Sequence, residues 1–283
     1  MTRGILIIAH NSRQVDYAKT AIISGGLARK NLGLPVSLVT DRATLDWMKE
    51  SGTFQKASDI FDNIIETDRP QITNYRNLHD GLKTDNVPFI NSTRSSAYNL
   101  TPYDQTLLID SDFLIMTNDL NCYWDTEHSV LVSDSMNDIV GNRVGVLDKW
   151  TSETGVRLFW ATTVMFTKNS TAETFFNLVE YIKENYSYYS DLFRFDSRQY
   201  RNDISFSVAL HLMSGFEKPT KSLPPILTAN SKDILESVGS DNSLKILTNI
   251  SEDFVLASIK NRDVHIMNKQ SLIRQYDALV ELL

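Results

Sequence analysis

Two apolar segments near the amino terminus, separated by an amphipathic one, constrain the fold of this chain most. Residues 4–9 and 36–40 form short apolar runs that are typical of buried strands. Between them, apolar residues recur near helical spacing from Val15 to Ala28, and Gly33 predicts the end of that helix. A strand, a helix and a strand in this order predict a parallel sheet whose ligand sites lie at the carboxyl ends of its strands. The chain is therefore predicted to be an α/β protein.

Further elements continue this pattern to the carboxyl terminus. Strands are predicted over residues 60–66, 106–109, 130–133, 158–167, 244–247 and 254–258. Helices are predicted over 44–50 and 89–100, from Ser170 with a capping box, after residue 203 and over the last eleven or so residues. Residues 68–87 and 141–154 are predicted to be irregular. No clear boundary divides the chain, so residues 1–283 are predicted to form one domain, with a mostly parallel sheet flanked by helices.

A pair of carboxylates stands at the end of one of these strands. Asp110 and Asp112 follow residues 106–109, and side chains on extended backbone alternate, so both carboxylates point to the same side of the chain. Such oxygen ligands suit Mg²⁺ or Mn²⁺, which take one or two carboxylates together with substrate phosphates. An isolated Asp-x-Asp is also common in polar turns that close a strand, so the pair alone leaves both interpretations open.

The sequence around this pair resembles the metal-binding motif of nucleotide-sugar glycosyltransferases with the GT-A (Rossmann-like) fold. The resemblance is to the retaining family that contains glycogenin and bacterial galactosyltransferases, glycosyltransferase family eight. In that family a basic residue opens a helix, the helix ends at a leu-thr-x-tyr phrase, and a strand then leads into Asp-x-Asp. Here Arg94 precedes Leu100-Thr101-Pro102-Tyr103, and its distance from Asp110 in the sequence is that of the family.

The resemblance implies ligand roles for residues spread along the chain. Those implied to bind the nucleotide sugar are Ala9, His10, Asn11, Tyr17, Asp41, Arg94, Ser111 and Lys269. Asp110, Asp112 and a late histidine, His265, would hold Mn²⁺ or Mg²⁺. Without the resemblance, loop residues such as His10 and Asn11 are ordinary turn formers, and that alternative stays open.

Catalytic roles are implied for Arg94, beside the departing diphosphate, and for Asp203, where the family has a residue that reaches the sugar. If the reaction inverts the sugar centre, Asp203 or Asp134 would be the general base. Asp203 is also a competent helix N-cap. Aromatic and charged residues mix without clear period over 186–201, which indicates either a lid on the acceptor side or a loop packed on the sheet.

The resemblance implies a metal-dependent transfer of a sugar from a nucleoside diphosphate, UDP in the first instance, with retention, to an acceptor that the sequence does not identify. Two alternatives stay open. Trp160-Ala161-Thr162-Thr163-Val164 stands where the family has phe-asn-ser-gly-val, which favours a catalytically degenerate protein that binds nucleotide or glycan. A sugar nucleotidyltransferase usually has a glycine-rich basic loop after the first strand, and residues 9–13 contain no glycine.

Composition bounds the remaining possibilities. A net charge of −7 disfavours a broad electrostatic interaction with nucleic acid. The single cysteine, Cys122, excludes an internal disulfide framework and is typical of a reducing compartment. The longest apolar runs are far too short to span a membrane, and the amino terminus has no signal-peptide layout. A cytoplasmic protein is predicted, and its oligomeric state is left open.

Overall fold

The centre of the structure, a computed structural model, is a six-stranded sheet. Residues 1–71, 74–79, 84–90, 93–141, 144–145, 149–195, 199–217, 221–250 and 253–283 are described. In spatial order the strands are β3 (Asn63–Thr67), β2 (Val36–Asp41), β1 (Arg3–Ile8), β6 (Gln105–Ile109), β10 (Trp160–Thr167) and β8 (Val130–Ser133). The first four run parallel, whereas β10 is antiparallel to both of its neighbours. The predicted α/β class with a mostly parallel sheet is confirmed.

Helices flank this sheet. They are α1 (Tyr17–Leu32), α2 (Arg42–Glu50), α3 (Phe54–Ile60), α4 (Ala97–Leu100), α5 (Ser170–Glu184), α6 (Tyr186–Leu192), α7 (Asn202–Ser214), α8 (Lys269–Arg274) and α9 (Tyr276–Val280). Helix α1 is capped at its start by Asp16, whose side chain accepts a hydrogen bond from the Lys19 amide, and at its end by Gly33, whose φ of 69° suits glycine. Within the described residues, every helix is too short or too polar to cross a bilayer.

Three smaller sheets surround the central one. Strands β7 (Phe113–Leu114), β15 (Val264–Ile266), β11 (Ile226–Ala229) and β9 (Met136–Asp138) form a four-stranded sheet. An antiparallel sheet contains β12 (Ile234–Val238), β13 (Leu244–Ile250) and β14 (Asp253–Ile259), and a hairpin contains β4 (Asn74–His79) and β5 (Thr84–Phe89). In the four-stranded sheet Phe113 pairs with His265, so a residue near the end of the chain lies beside the central carboxylates.

The phrase Leu100-Thr101-Pro102-Tyr103 holds the strand before the carboxylates in place. The ring of Tyr103 packs on Gly4 of β1, where any side chain would overlap it. Its hydroxyl group lies 2.7 Å from Ser37 Oγ on β2, and Thr101 Oγ1 lies 2.7 Å from Thr106 Oγ1 on β6. The phrase thus ties the start of β6 to its neighbour β1 and to β2, the next strand along the sheet.

Several predicted boundaries are wrong. The segment 68–87, predicted to be irregular, contains β4 and the start of β5. The helix predicted from residue 89 starts later, because Phe89 ends β5 and Arg94–Ser96 form one 3-10 turn before α4. Helix α5 is capped by Asn169 rather than Ser170, since the Asn169 side chain accepts a 2.9 Å hydrogen bond from the Ala172 amide.

Two further differences concern helices. Helix α3 occupies the start of the predicted strand 60–66, which begins only at Asn63. The predicted carboxyl-terminal helix is two short helices, α8 and α9, that meet at Gln275.

Candidate functional site

A cavity of about 560 Å³ lies at the carboxyl ends of β1 and β6. This is the edge at which parallel strands present ligand-binding residues. The predicted site residues that line it are Ala9, His10, Tyr17, Arg94, Asp110, Ser111, Asp112, Asp203, His265 and Lys269. Residues from many parts of the chain therefore meet in one cavity.

Two carboxylates and an imidazole form a cluster in this cavity. His265 Nε2 lies 3.3 Å from Asp112 Oδ1 and 4.0 Å from Asp110 Oδ2. One possible ligand atom from each of the three residues lies within 4.8 Å of the other two. Among the described residues, this is the one group of three acidic, histidine or cysteine side chains close enough to share a metal ion. The backbone holds this arrangement, because the Ile266 amide donates to the Asp112 carbonyl oxygen at 2.9 Å. The donor set is one that suits a divalent cation.

Each carboxylate of the cluster has a cationic partner. Lys269 Nζ is paired with Asp112 Oδ2, and Arg94 Nη1 donates to Asp110 Oδ1 at 2.8 Å. Burial opposes ionisation of Asp112, yet Lys269 and His265 hold the pKa of its carboxyl well below its usual range. All these groups except Asp110 are buried, so their charges act on one another with little screening by water.

Strand β10 positions Arg94. Its Nη2 donates to the carbonyl oxygens of Ala161 and Thr162, the latter at 3.2 Å. The Asp110 amide donates to the same Thr162 carbonyl oxygen at 3.0 Å. The segment of β10 that differs from the family phrase therefore supplies backbone oxygens that orient Arg94 and Asp110.

Helix α1 supports the residue between the two carboxylates. Ser24 Oγ donates to the Ser111 carbonyl oxygen at 2.7 Å, and Thr20 Oγ1 donates to Ser111 Oγ at 3.1 Å. All three residues are buried. The position of the acidic motif is thus coupled to the first helix of the chain.

Asp41 and Asn11 are not among the described residues that line the cavity. Asp41 accepts from the Thr44 amide at 2.8 Å and so caps α2, and it lies 3.2 Å from His10 Nδ1 and 3.0 Å from Arg69 Nη1. Burial alone would raise the pKa of Asp41, but these bonds and the Arg69 charge bring it down to about 2. Asp41 thereby holds His10, which does line the cavity.

Asn11 has local partners of its own. Its Oδ1 accepts from the Ala18 amide at 2.8 Å, and Arg69 Nη2 donates to its carbonyl oxygen at 2.8 Å. Arg69 lies in the segment predicted to be irregular, and no sequence pattern pointed to it as a site residue.

The two candidate bases lie in different places. Asp203 lines the cavity in the first turn of α7 and is paired with Arg201, whose Nε lies 3.1 Å from Asp203 Oδ1. It is the second residue of the helix rather than its N-cap. Asp134 is paired with Arg157 at 3.3 Å and is not among the described residues that line the cavity.

Sequence reasoning missed part of the cavity wall. The cavity is also lined by Asp138 at the end of β9, by Thr228 in β11 and by Asn230 just after β11. Trp160, the first residue of β10, lines it as well. Strands of three or four residues leave no periodic pattern to detect. Of these four residues, only Trp160 could be noticed in the sequence, since residues 160–164 stand where the family has phe-asn-ser-gly-val. Tyr200 and Arg201 also line the cavity, so the end of the segment 186–201 reaches it.

No protein-family model matches the chain, and no curated protein sequence matches it. Among solved structures it is similar to the glycosyltransferase GlyE of Streptococcus pneumoniae TIGR4, with 14% identity over 75% of this chain and 43% of that one, at a TM-score of 0.42. It is also similar to the galactosyltransferase LgtC in complex with donor and acceptor sugar analogues, with 13% identity over 73% of this chain and 70% of that one, at 0.43. The PaToxG glycosyltransferase matches with 12% identity over 75% of this chain and 70% of that one, at 0.39.

These structures belong to glycosyltransferases, the class that the sequence resembles. The chain spans less than half the length of GlyE. Because the identities and TM-scores are this low, the function of the chain has to be inferred from its own site.

Proposed function

We propose that this protein is a metal-dependent glycosyltransferase that transfers a sugar from a nucleoside diphosphate, UDP in the first instance, to an acceptor. The observation that carries the proposal is the convergence of Asp110, Asp112 and His265 with two buried cations in one cavity. This combination fits a ligand that bears a diphosphate together with a divalent cation. The single free cysteine, Cys122, supports a reducing compartment, the cytoplasm, as the place of the reaction.

The three cluster residues fit Mn²⁺ or Mg²⁺. They offer two carboxylates and one imidazole, and Asp112 is already held ionised by its surroundings. Imidazole together with carboxylate favours Mn²⁺ over Mg²⁺. When bound, the ion supplies Lewis-acid stabilisation of the departing diphosphate.

The cationic side chains of the site act on the leaving group. Arg94 presents its guanidinium from a fixed position, because two carbonyl oxygens of β10 hold one of its nitrogens. Lys269 lies on the other side of the acidic cluster, against Asp112. Both would offset the negative charge that grows on the diphosphate as the glycosidic bond breaks, and they need little reorganisation to do so.

Asp203 is proposed to position the sugar and to stabilise positive charge at the reaction centre, with retention of configuration. It lines the cavity as an acid already paired with Arg201. If the transfer instead inverts, Asp203 is the better candidate for general base, since it lines the cavity and Asp134 is not among the described residues that do so.

Calorimetric titration of UDP in the presence of Mn²⁺ tests the proposal. Asp110→Asn and Asp112→Asn should each lower the Mn²⁺-dependent affinity for UDP by about tenfold or more, because a neutral amide is a weak ligand for the ion. The matched control is Asp134→Asn, which removes a carboxylate that is partly exposed like that of Asp110 but is not among the described residues that line the cavity, and this variant should bind as the unchanged protein does.

Unchanged affinity in both cluster variants would remove the metal site from the proposal. Release of sugar from a UDP-sugar, measured with and without Mn²⁺, separates an active transferase from a protein that only binds nucleotide. Formation of a nucleotide sugar from a sugar phosphate and a nucleoside triphosphate would instead identify a nucleotidyltransferase.

A further inference from the structure

The sheet β12-β13-β14 has one protected edge and one open edge. On the β12 side, the register shifts between Leu235 and Ser237, helix α8 packs against the strand, and Gln275 Nε2 donates to the Glu236 carbonyl oxygen at 2.8 Å. Bulges and covering elements are the usual devices that prevent an edge strand from pairing with another chain. The β12 edge is therefore protected from pairing with a strand of another molecule.

Within the described residues, the opposite edge, β14, lacks these devices. Its ladder with β13 runs without a register shift from Asp253 paired with Ile250 to Ile259 paired with Leu244. It contains no proline, and in the described part of the chain it pairs with β13 alone. Alternate backbone N–H and C=O groups of such an edge point away from the sheet. A seven-residue, regular strand is thus available for pairing.

The side chains of this edge are apolar and exposed. Ile259 is buried opposite Leu244 on the inner face, but Phe254 and Leu256 are 73% and 53% exposed on the other face. Val255, between them, is 38% exposed. Three consecutive exposed apolar residues on an open strand edge are a feature that monomeric proteins usually avoid.

We propose that β14 pairs antiparallel with β14 of a second copy of this chain, so that two three-stranded sheets join into one of six strands. Residues directly opposite each other in an antiparallel pair share a face, so a two-fold axis must pass beside one residue that faces its own copy. When that residue is Leu256, Phe254 lies opposite Ser258 of the other copy and Val255 lies opposite Ala257. The large exposed side chains then cover one another across the axis.

The charges at the ends of the strand favour a second copy over an unrelated peptide. Asp253 begins β14 and Lys260 follows its end. Antiparallel pairing brings the acidic end of each strand beside the basic end of the other, twice in one dimer. Lys260 is paired with Asp241 at 2.8 Å, but both side chains are more than half exposed, and such surface pairs are weak enough to exchange partners.

Sedimentation of the full-length chain over a concentration series tests the pairing. The unchanged protein should dimerise, and Leu256→Lys should raise the dimer dissociation constant at least about tenfold, because it places two ammonium groups side by side at the axis. The matched control is Leu192→Lys on α6, whose leucine is similarly exposed at 56%, and it should leave the dissociation constant unchanged. A chain that stays monomeric up to about 100 μM, well above ordinary dimer affinities, would overturn the proposal.

Disulfide formation tests the register separately. In a Cys122→Ser background, which removes the exposed native thiol, Leu256→Cys should give a covalent dimer under mild oxidation. Cβ atoms of directly opposed residues lie about 5 Å apart, close to the separation that a disulfide spans. Phe254→Cys is the control. In this register residue 254 lies opposite Ser258 of the other copy and not opposite the second residue 254, so this variant should cross-link much more slowly. If the protein dimerises but Leu256→Cys does not cross-link faster than Phe254→Cys, the dimer uses another surface and the proposal is wrong. Neither variant touches the cavity, so these results do not depend on the proposed activity.

Discussion

Two buried carboxylates in this protein, those of Asp112 and Asp41, have cationic groups beside them that favour the ionised form. Asp112 has Lys269, and Asp41 has Arg69 with His10 close by. Both members of the Asp112–Lys269 pair are buried, so removal of one leaves an uncompensated charge, which costs far more than the pair itself contributes. The two acids are thus stabilised in the same way but have different roles. Asp112 lines the cavity, whereas Asp41 holds His10, which lines it.

Asp41 gives a prediction about pH. Its pKa of about 2 in the folded protein lies below the ordinary 3.8, so it stabilises the fold above about pH 4 and this stabilisation is lost as pH falls towards 2. Asp41→Asn should cost up to about 2 kcal/mol near neutral pH. The asparagine can still accept from the Thr44 amide, so the cap of α2 is kept.

Urea unfolding of the two proteins at a series of pH values measures this difference, which should shrink steadily below about pH 4. Asp46→Asn is the control, because Asp46 is half exposed and forms only surface ion pairs with Arg42 and Lys49. A difference that does not change with pH would mean that the charge of Asp41 is not what stabilises the fold.

At the scale of elements, the contact between Gly4 and Tyr103 links β1 to the segment that enters β6. A β-carbon at residue 4 would overlap the tyrosine ring, which is itself fixed by its hydroxyl bond to Ser37. Gly4→Ala should therefore destabilise the protein by about 1–3 kcal/mol, the usual cost of overpacking a core.

A double-mutant cycle with Tyr103→Ala checks this cause by chemical denaturation. Alanine at residue 4 should cost much less free energy of unfolding when the ring is gone. Equal costs in both backgrounds would show that the loss arises from the strand backbone and not from the ring.

How well the sequence predicted each element depended on where the stabilising contacts lie. β1, α1 and β2 were predicted closely, because burial on the sheet leaves a local apolar pattern from Val15 to Ala28. The hairpin β4-β5 was missed because its sequence is mostly polar, so the pairing of the two strands leaves no local apolar pattern. Short strands such as β15 form by pairing with segments that are distant in the sequence, here β7 and β11, and a local sequence pattern does not reveal such partners.

The residues of the candidate site were predicted best where a single sequence motif contains them. Asp110, Asp112 and Arg94 were found together from one stretch of sequence, and the structure brings them into contact. His265 was expected there only through the family resemblance. Asp138 and Arg69 could not be predicted, because their positions follow from strand pairing and an ion pair and not from any local signal.

At the scale of the whole molecule, helix α1 joins two apolar clusters. Ile22 belongs to the large cluster around the central sheet, whereas Ile23 and Leu27 belong to a smaller one that includes residues of β13 and β15. Leu283, near the end of the chain, packs against both. A helix that contributes buried side chains to two clusters cannot leave one of them without disturbing the other. This coupling supports the prediction that residues 1–283 form one domain.

Differential scanning calorimetry should accordingly record one cooperative transition whose calorimetric and van't Hoff enthalpies agree. Ile22→Val and Ile23→Val remove one buried methylene from different clusters, so each should cost about 1 kcal/mol. In one domain both variants lower the melting temperature of the same single peak by similar amounts. In two independent units each variant would shift only its own peak and leave the other unchanged. A split transition in which Ile23→Val moves only one part would therefore contradict the one-domain prediction and identify the sheet β12-β13-β14 as a separately folding unit.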